Sequence, residues 1–267
     1  MLGIREFFSR HRAPLLAVPV DAGSGPAIVL VHGIASSSKA FAALLPYISA
    51  GHRVIAIDLL GFGTSPAPLD SQYTLEDHVD AVARTIDSLR IDGPFVLVGH
   101  SLGCLISSRY TATHKKRVAR LVLISPPVYL APHEIADARD RNEVTGYLAA
   151  YQYLRANKRF TLANAAFVSH ALRLKDVMDI TEKNWIPFER SMEHCIEQQT
   201  IITDLARIDV PIEIAYGRLD EFVTTSSMRL IERIKGVTVH PVNVSDHMIR
   251  KPLARVAATA ILGAWAR

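Results

Sequence analysis

Cysteine is nearly missing: Cys104 and Cys195 are the only two in 267 residues, which excludes a disulfide framework and leaves no Cys-x-x-Cys pair. No His-x-x-x-His spacing occurs either, so no metal-ligand set is expected, and no cofactor motif is present. No apolar run is long enough to span a bilayer, and no signal-peptide pattern opens the chain. The expectation is a cytoplasmic protein without an integral membrane segment. Charge of one sign is scarce as well. The 30 Lys and Arg nearly balance the 26 Asp and Glu, for a net +4. They are interspersed without a basic stripe, so no nucleic-acid partner is expected. What remains is an ordinary soluble composition, 49% hydrophobic, long enough for one large core with room for an inserted subdomain. Met1 to Arg12 mixes Leu2, Ile4, Phe7 and Phe8 with three arginines; it reads as a helix docked on its own domain or a frayed end rather than a membrane anchor.

The most informative stretch is Val96-Leu97-Val98-Gly99-His100-Ser101-Leu102-Gly103-Cys104. An apolar run of strand formers stops at a glycine, presents one serine, meets a second glycine and turns helical. In a G-x-S-x-G turn the missing side chains let the chain close tightly enough to lift the serine hydroxyl clear of the sheet. The following helix start offers unpaired N–H groups to developing negative charge.

Around it, buried strands and amphipathic helices alternate. Pro14–Val20 is a short strand candidate. Uninterrupted apolar strands are expected at Ala27–Val31, Arg53–Asp58, Phe95–Val98, Leu121–Ile124 and Ile212–Tyr216, with another at Thr238–Val244. Runs without alternation imply burial on both faces, hence a parallel sheet covered by helices. Helices are expected at Phe41–Ile48, at Thr74–Ile91 behind a Thr74/Asp77 capping signal, after Ser101, and at Thr225–Lys235 and Leu253–Trp265. This rhythm predicts an α/β fold with a doubly wound, mostly parallel sheet flanked by helices. It breaks between about Val128 and Leu205, where strands vanish and aromatics gather: Tyr129, Tyr147, Tyr151, Tyr153, Phe160, Phe167, Trp185 and Phe188, with Met178 and Met192. Helices at Asn142–Asn157 and Glu189–Thr203 fit best there. The expected organisation is a core of residues 1–127 and 206–267 with a helical cap at 128–205.

Ser101, Asp220 and His247 each fall just past a predicted strand, on loops that share the sheet's carboxyl edge, where open α/β sheets build their sites. Their order, Ser then Asp then His, is the one expected of a triad on such a sheet. A serine hydroxyl is a poor nucleophile near neutral pH and requires a base; histidine suits that task, and a buried carboxylate fixes its tautomer.

With these residues in place, the chain resembles the α/β-hydrolase fold superfamily, in its cap-bearing serine hydrolases. The resemblance spans nearly the whole length and rests on His32-Gly33, Asp58 through Gly63 with Ser65, Gly99 to Gly103, Gly217 to Asp220, and His247. It implies Ser101 as nucleophile, His247 as base and then acid, Asp220 as orienting carboxylate, and an oxyanion hole on the backbone N–H groups of Ile34 and Leu102. Two departures stand out: a single short strand precedes Ala27 where a hairpin is common, and Cys104 occupies a position that is glycine in many relatives. Serine rather than aspartate at 101 argues against the epoxide hydrolase and haloalkane dehalogenase branches.

Rival groups read as structural. His32 and His100 lie inside turn motifs, though both are also candidates for the pocket; His78, His114, His133, His170, His194 and His240 fall within helices or a strand. Asp58 is expected to bond its own loop, and Asp246 to point away from His247. Trp185, Phe188, Met192, Phe222 and Met248 are further candidates for an apolar substrate pocket. The expected activity is cleavage of carboxylic esters of small to medium hydrophobic substrates through an acyl-Ser101 intermediate, with no cofactor. Carbon-carbon hydrolysis of diketone-like compounds and non-catalytic ligand capture are the alternatives, and a monomer or homodimer fits equally.

Overall fold

The computed structural model describes residues 13–128, 137–164, 179–199 and 201–265. Met1–Arg12, together with Tyr129, His133, Phe167, His170 and Met178, lies outside the described residues.

Seven strands form one sheet among the described residues: β1 (Val20–Ala22), β2 (Ala27–Val31), β3 (Arg53–Ile57), β4 (Phe95–His100), β5 (Val118–Ile124), β6 (Ile212–Gly217) and β7 (Val237–Val242). The order is β1-β3-β2-β4-β5-β6-β7, parallel throughout except where β1 runs against β3. The apolar runs explain this layout. Every residue of β2 and β4 is buried, so each strand feeds two cores at once. Val29, Val31, Ile55, Leu97, Leu121 and Ile214 pack on one face, and Ile28, Leu30, Val54, Val96, Val122 and Ala215 on the other.

α2 (Leu75–Ser88) and α3 (Leu102–Thr113) cover the first face; Phe41, Leu44, Ile48 and the last helix, α9 (Lys251–Leu262), cover the second. α2 begins with the expected capping box: Thr74 Oγ1 accepts from the Asp77 N–H, and the Asp77 carboxylate accepts from the Thr74 N–H. The expected helix across Phe41–Ile48 is instead a 3-10 turn at Ser38–Phe41 followed by one turn, α1 (Leu45–Ile48), because Pro46 has no N–H with which to continue the ladder.

β1 starts where the Pro14–Val20 candidate ends. The residues before it are taken up elsewhere: the Leu16 N–H donates to Thr85 Oγ1, the Ala17 N–H to Ser65 Oγ, and the Ala17 carbonyl accepts one backbone bond from the Asp58 N–H, so side chains replace most of a strand ladder here. A three-residue antiparallel edge strand therefore stands where the resemblance suggested a hairpin.

Between β5 and β6 the described residues are helical, apart from one bridge between Val128 and Val223. They comprise α4 (Ala138–Ala156), α5 (Lys158–Ala163), α6 (Trp185–Ser191) and α7 (Ile201–Leu205). The helix expected over Glu189–Thr203 is broken: after α6 a π turn spans Met192–Ile196, with the Glu197 N–H reaching back to the Met192 carbonyl at 3.0 Å. α8 (Thr225–Ile231) completes the set.

The α6 segment is fastened to the loop after β3. Arg190 donates to the Ser71 carbonyl, the His194 ring bonds the Gln72 carbonyl, and the buried His78 ring lies 3.0 Å from Ser191 Oγ. No described helix is long and apolar enough to cross a membrane.

Candidate active site

β4 ends at His100, and the chain reverses at Ser101 with φ 52° and ψ −122°. A side chain at positive φ costs on the order of 1–3 kcal/mol and persists only where the surroundings enforce it. Here the enforcement is close packing of backbone. A methyl at Gly99 would sit 2.4 Å from the Gly103 carbonyl oxygen, and one at Gly103 only 2.1 Å from that of Val31. Neither glycine has a positive φ; both are needed for close approach, and the strain is left on the serine. Beneath the turn, the Cys104 thiol donates toward the carbonyls of Gly99 (3.2 Å) and Ile124 (3.3 Å), and burial pushes its pKa well above the ordinary value.

The loops after β6 and β7 bring Asp220 and His247 together. His247 Nδ1 lies 3.0 Å from both Asp220 carboxylate oxygens, and both residues are buried. The carboxylate accepts only, so Nδ1 carries the proton and Nε2 on the opposite edge of the ring is left as acceptor. Burial alone would raise the Asp220 carboxyl. The His247 ring, the Ser125 hydroxyl and the Phe222 N–H outweigh it and hold the pKa below the usual carboxylate range. Phe222 also packs edge-on against the His247 ring at 4.8 Å.

His100 holds the backbone of that loop: its Nε2 donates to the His247 carbonyl at 3.0 Å, while burial pushes its pKa down to about 3. Asp246 turns elsewhere, accepting from the Met248 N–H and from Arg250. Ser101 and His247 border the same cavity, and in this resting arrangement no hydrogen bond joins the hydroxyl to the ring.

The chain after β2 runs directly against the serine. A methyl at Gly33 would lie 2.9 Å from Ser101 Cβ and 3.4 Å from its Oγ. His32 sets the orientation there, because its Nε2 accepts the Leu59 N–H at 2.8 Å and Nδ1 must therefore donate to the Gly33 carbonyl at 2.7 Å. A trans peptide points its C=O and N–H in opposite directions, so anchoring the Gly33 carbonyl aims the Ile34 N–H away from His32. Leu102, the first residue of α3, has an N–H with no acceptor one turn earlier in the helix. Asp58 bonds its own loop through the Thr64 N–H (2.8 Å) and Thr64 Oγ1 (3.0 Å) and ties it to the chain after β2 by accepting from the Ser38 N–H (2.7 Å). Burial would raise its pKa, but these donors hold it below the ordinary value.

The cavity above Ser101 is lined by Ile34, Phe188, Met192 and Phe222 from the sequence candidates, together with Pro127, Tyr151, Leu154 and Ile196. It is small and apolar: water-sized spheres can be centred over about 40 Å³ of it, room for about three waters. His32, His100, Trp185 and Met248 lie outside this lining. His32 spends both ring nitrogens on backbone groups and His100 spends its Nε2 on the His247 carbonyl, as above. Trp185 is buried against Phe188 at 5.6 Å with the Lys158 ammonium over its ring, and Met248 is buried next to the Asp246 turn. Tyr151 and Leu154, three apart on α4, and Met192 and Ile196, four apart, each share a helix face; that spacing was the available signal for Tyr151, Leu154 and Ile196. Among the described residues no cluster of three or more His, Cys, Asp or Glu could hold a metal ion.

Comparison with known proteins bears on the fold and the family. The family model of the alpha/beta hydrolase fold matches residues 26–185. BODYGUARD 3 of Arabidopsis thaliana, named as a lysophospholipase, is 38% identical over 109 residues, 39% of this chain but only 22% of that protein. The chain thus spans about a quarter or less of these plant relatives. RutD of Variovorax paradoxus, named as a carbamate hydrolase, is 30% identical over 221 residues, 81% of this chain and 82% of that one. An ancestral haloalkane dehalogenase structure superposes with a TM-score of 0.72 at 19% identity, covering 93% and 94% of the two chains.

Proposed function

The chain belongs to the α/β-hydrolase fold family, and from that premise we propose that it is a serine hydrolase that cleaves carboxylic esters of small to medium hydrophobic substrates. The observation that carries this reading is the His247 ring held at 3.0 Å by both Asp220 oxygens while it borders the same cavity as the strained Ser101. On this reading His247 Nε2 takes the Ser101 proton as Oγ attacks the ester carbonyl. The Ile34 and Leu102 N–H groups receive the oxyanion, and the imidazolium returns its proton to the departing alcohol. Water, deprotonated by the same ring, then releases the acid from the acyl-serine. On this reading the Ser101–His247 hydrogen bond forms when substrate is bound, as catalytic hydrogen bonds often tighten only then.

Asp220 keeps the ring in the tautomer that leaves Nε2 free and stabilises the imidazolium. The described helices between β5 and β6 act as the cap that shuts water out, and Phe188, Met192 and Ile196 give the acyl pocket an apolar wall. The activities named for the plant and Variovorax relatives support the coarser part of this reading, hydrolysis. The test is labelling with a fluorophosphonate followed by peptide mass spectrometry, and then a chain-length series of p-nitrophenyl esters. The adduct is expected on Ser101 of the folded chain only, with turnover falling steeply for long acyl chains. Absence of the adduct refutes the nucleophile, and equal turnover of acetate and decanoate refutes the pocket.

A further inference from the structure

We propose that Asn184 is a positioning residue for the oxyanion hole, acting through the main chain of Asp179 on the carbonyl of Ala35. The inference rests on the serine-hydrolase reading, in which the Ile34 N–H is an oxyanion donor. That donor sits between two anchored carbonyls. On the core side His32 Nδ1 holds the Gly33 carbonyl at 2.7 Å; on the cap side the Asp179 N–H holds the Ala35 carbonyl at 2.7 Å. Ala35 needs the second anchor, because it is a buried non-glycine residue at φ 47°, a conformation that persists only where contacts impose it.

Asp179 is in turn held by Asn184. The Asn184 Nδ2 donates to the Asp179 carbonyl at 2.5 Å, and its Oδ1 accepts from the Thr181 N–H at 2.7 Å and from Thr181 Oγ1 at 3.2 Å. Asn184 is the N-cap residue of α6, where an asparagine ordinarily turns its oxygen onto the first N–H groups of the helix. Here it makes no such bond and reaches back to the preceding turn instead. Ile180 is buried in the core at the middle of this turn, whereas Asp179, Thr181 and Asn184 border a polar hollow of about 570 Å³ shared with Ser36, Lys39 and Thr64, so packing seats the turn and the hydrogen bonds of Asn184 orient its polar groups. The residue that begins α6, the helix carrying Phe188 into the cavity, thus also sets the carbonyl beside the oxyanion donor, and cap seating and oxyanion-hole assembly share one turn.

The experiment compares the full-length chain with Asn184→Ala and Asn184→Asp, rates being normalised to Ser101 titrated by a fluorophosphonate. With p-nitrophenyl butyrate, kcat per titrated site is expected to fall at least tenfold in Asn184→Ala with KM within about twofold, given that loss of one oxyanion donor costs about 10²–10³ in kcat. Inhibition by a trifluoromethyl ketone, whose serine adduct needs the same donors, is expected to weaken by a matching factor. Asn184→Asp keeps the acceptor for Thr181 and is expected to recover part of the rate; it carries the test on the same criteria if the alanine variant does not fold. A kcat within twofold of the parent, or a rise in KM alone, overturns the positioning role while leaving the triad reading standing. If the parent chain neither labels at Ser101 nor turns over esters, both fall together.

Discussion

Lowering the pH from 8 to 5 is expected to destabilise this protein strongly before its carboxylates titrate. His32, His78 and His100 are fully enclosed, and burial, the largest influence on each, pushes their pKa values down to about 4, about 4 and about 3 from an ordinary 6.5. Below pH 6.5 the unfolded chain binds three protons that the folded chain refuses, so stability falls as pH drops. Each ring adds a slope approaching ~1.4 kcal/mol per pH unit. Together they remove about 6 kcal/mol by pH 5, against a typical domain stability of about 5–15 kcal/mol. Asp58 and Asp220 have depressed pKa values, so their contribution is present above 3.8 and is lost only below it, in a separate window. Urea titrations followed by tryptophan fluorescence at pH 8, 6.5 and 5.5 measure the slope. His78 gives the internal check, since Phe62 and Tyr73 already surround its ring and, among the described residues, its side-chain hydrogen bond goes to Ser191 Oγ. His78→Phe should cost about 1 kcal/mol at pH 8 through the lost hydrogen bond but reduce the acid slope by about a third. An identical urea midpoint at pH 8 and 5.5, or an unaltered slope in the variant, refutes the reasoning.

Three other outcomes are expected. Asp220→Asn should reduce kcat with p-nitrophenyl esters by about 10⁴ near neutral pH with little loss of fold, since the ring loses its tautomer and its counter-charge; retention of full rate would assign the acid elsewhere. Gly33→Ala places a methyl 2.9 Å from Ser101 Cβ and should fold yet lose fluorophosphonate labelling rate by at least about 100-fold, as expected for a displaced oxyanion donor; unaltered labelling would separate this loop from the site. Gly146 lies exposed inside α4, and a methyl added there would meet nothing within 4 Å, so Gly146→Ala should stabilise by about 0.5–1 kcal/mol, whereas Gly103→Ala, 2.1 Å from the Val31 oxygen, should yield no folded protein. Thermal melts of the two variants decide both.

The parallel sheet was legible in the sequence because its strands are short, continuous apolar runs bounded by glycines and loops, a signal that depends on burial alone. The edge was harder to read. β1 lies nearer Ala22 because the residues before it are held by hydroxyls of Ser65 and Thr85, partners far away in sequence that no local pattern announces. The helix expected at Glu189–Thr203 differs for a related reason: its periodicity is helical, but the π turn at Met192–Ile196 adds a residue to one turn. At the site, the spacing of Ser101, Asp220 and His247 relative to strand ends was visible, since strand ends decide which loops meet. Which aromatics line the cavity was not: Trp185 and Phe188 are both buried, and only the placement of α6 turns one of them inward.

Cys104 resolves a choice that the sequence alone poses, since a thiol three residues from a nucleophilic serine is intrinsically the stronger nucleophile when ionised. Position 104 lies under the elbow with no exposure, and the carbonyls of Gly99 and Ile124 sit within reach of the sulfur. Burial penalises the thiolate, so the group stays a thiol well past neutral pH. Where a glycine would leave a void, the sulfur fills space and brings its own donor, which makes the departure from the family pattern compatible with the tight turn. The turn thus separates the two groups: Cys104 is enclosed and held protonated beneath the backbone, and Ser101 is lifted at positive φ to the cavity, where an imidazole fixed by Asp220 borders the same space. On the proposed reading, chemistry at this elbow belongs to oxygen, and alkylation by iodoacetamide in the folded state should leave activity unchanged.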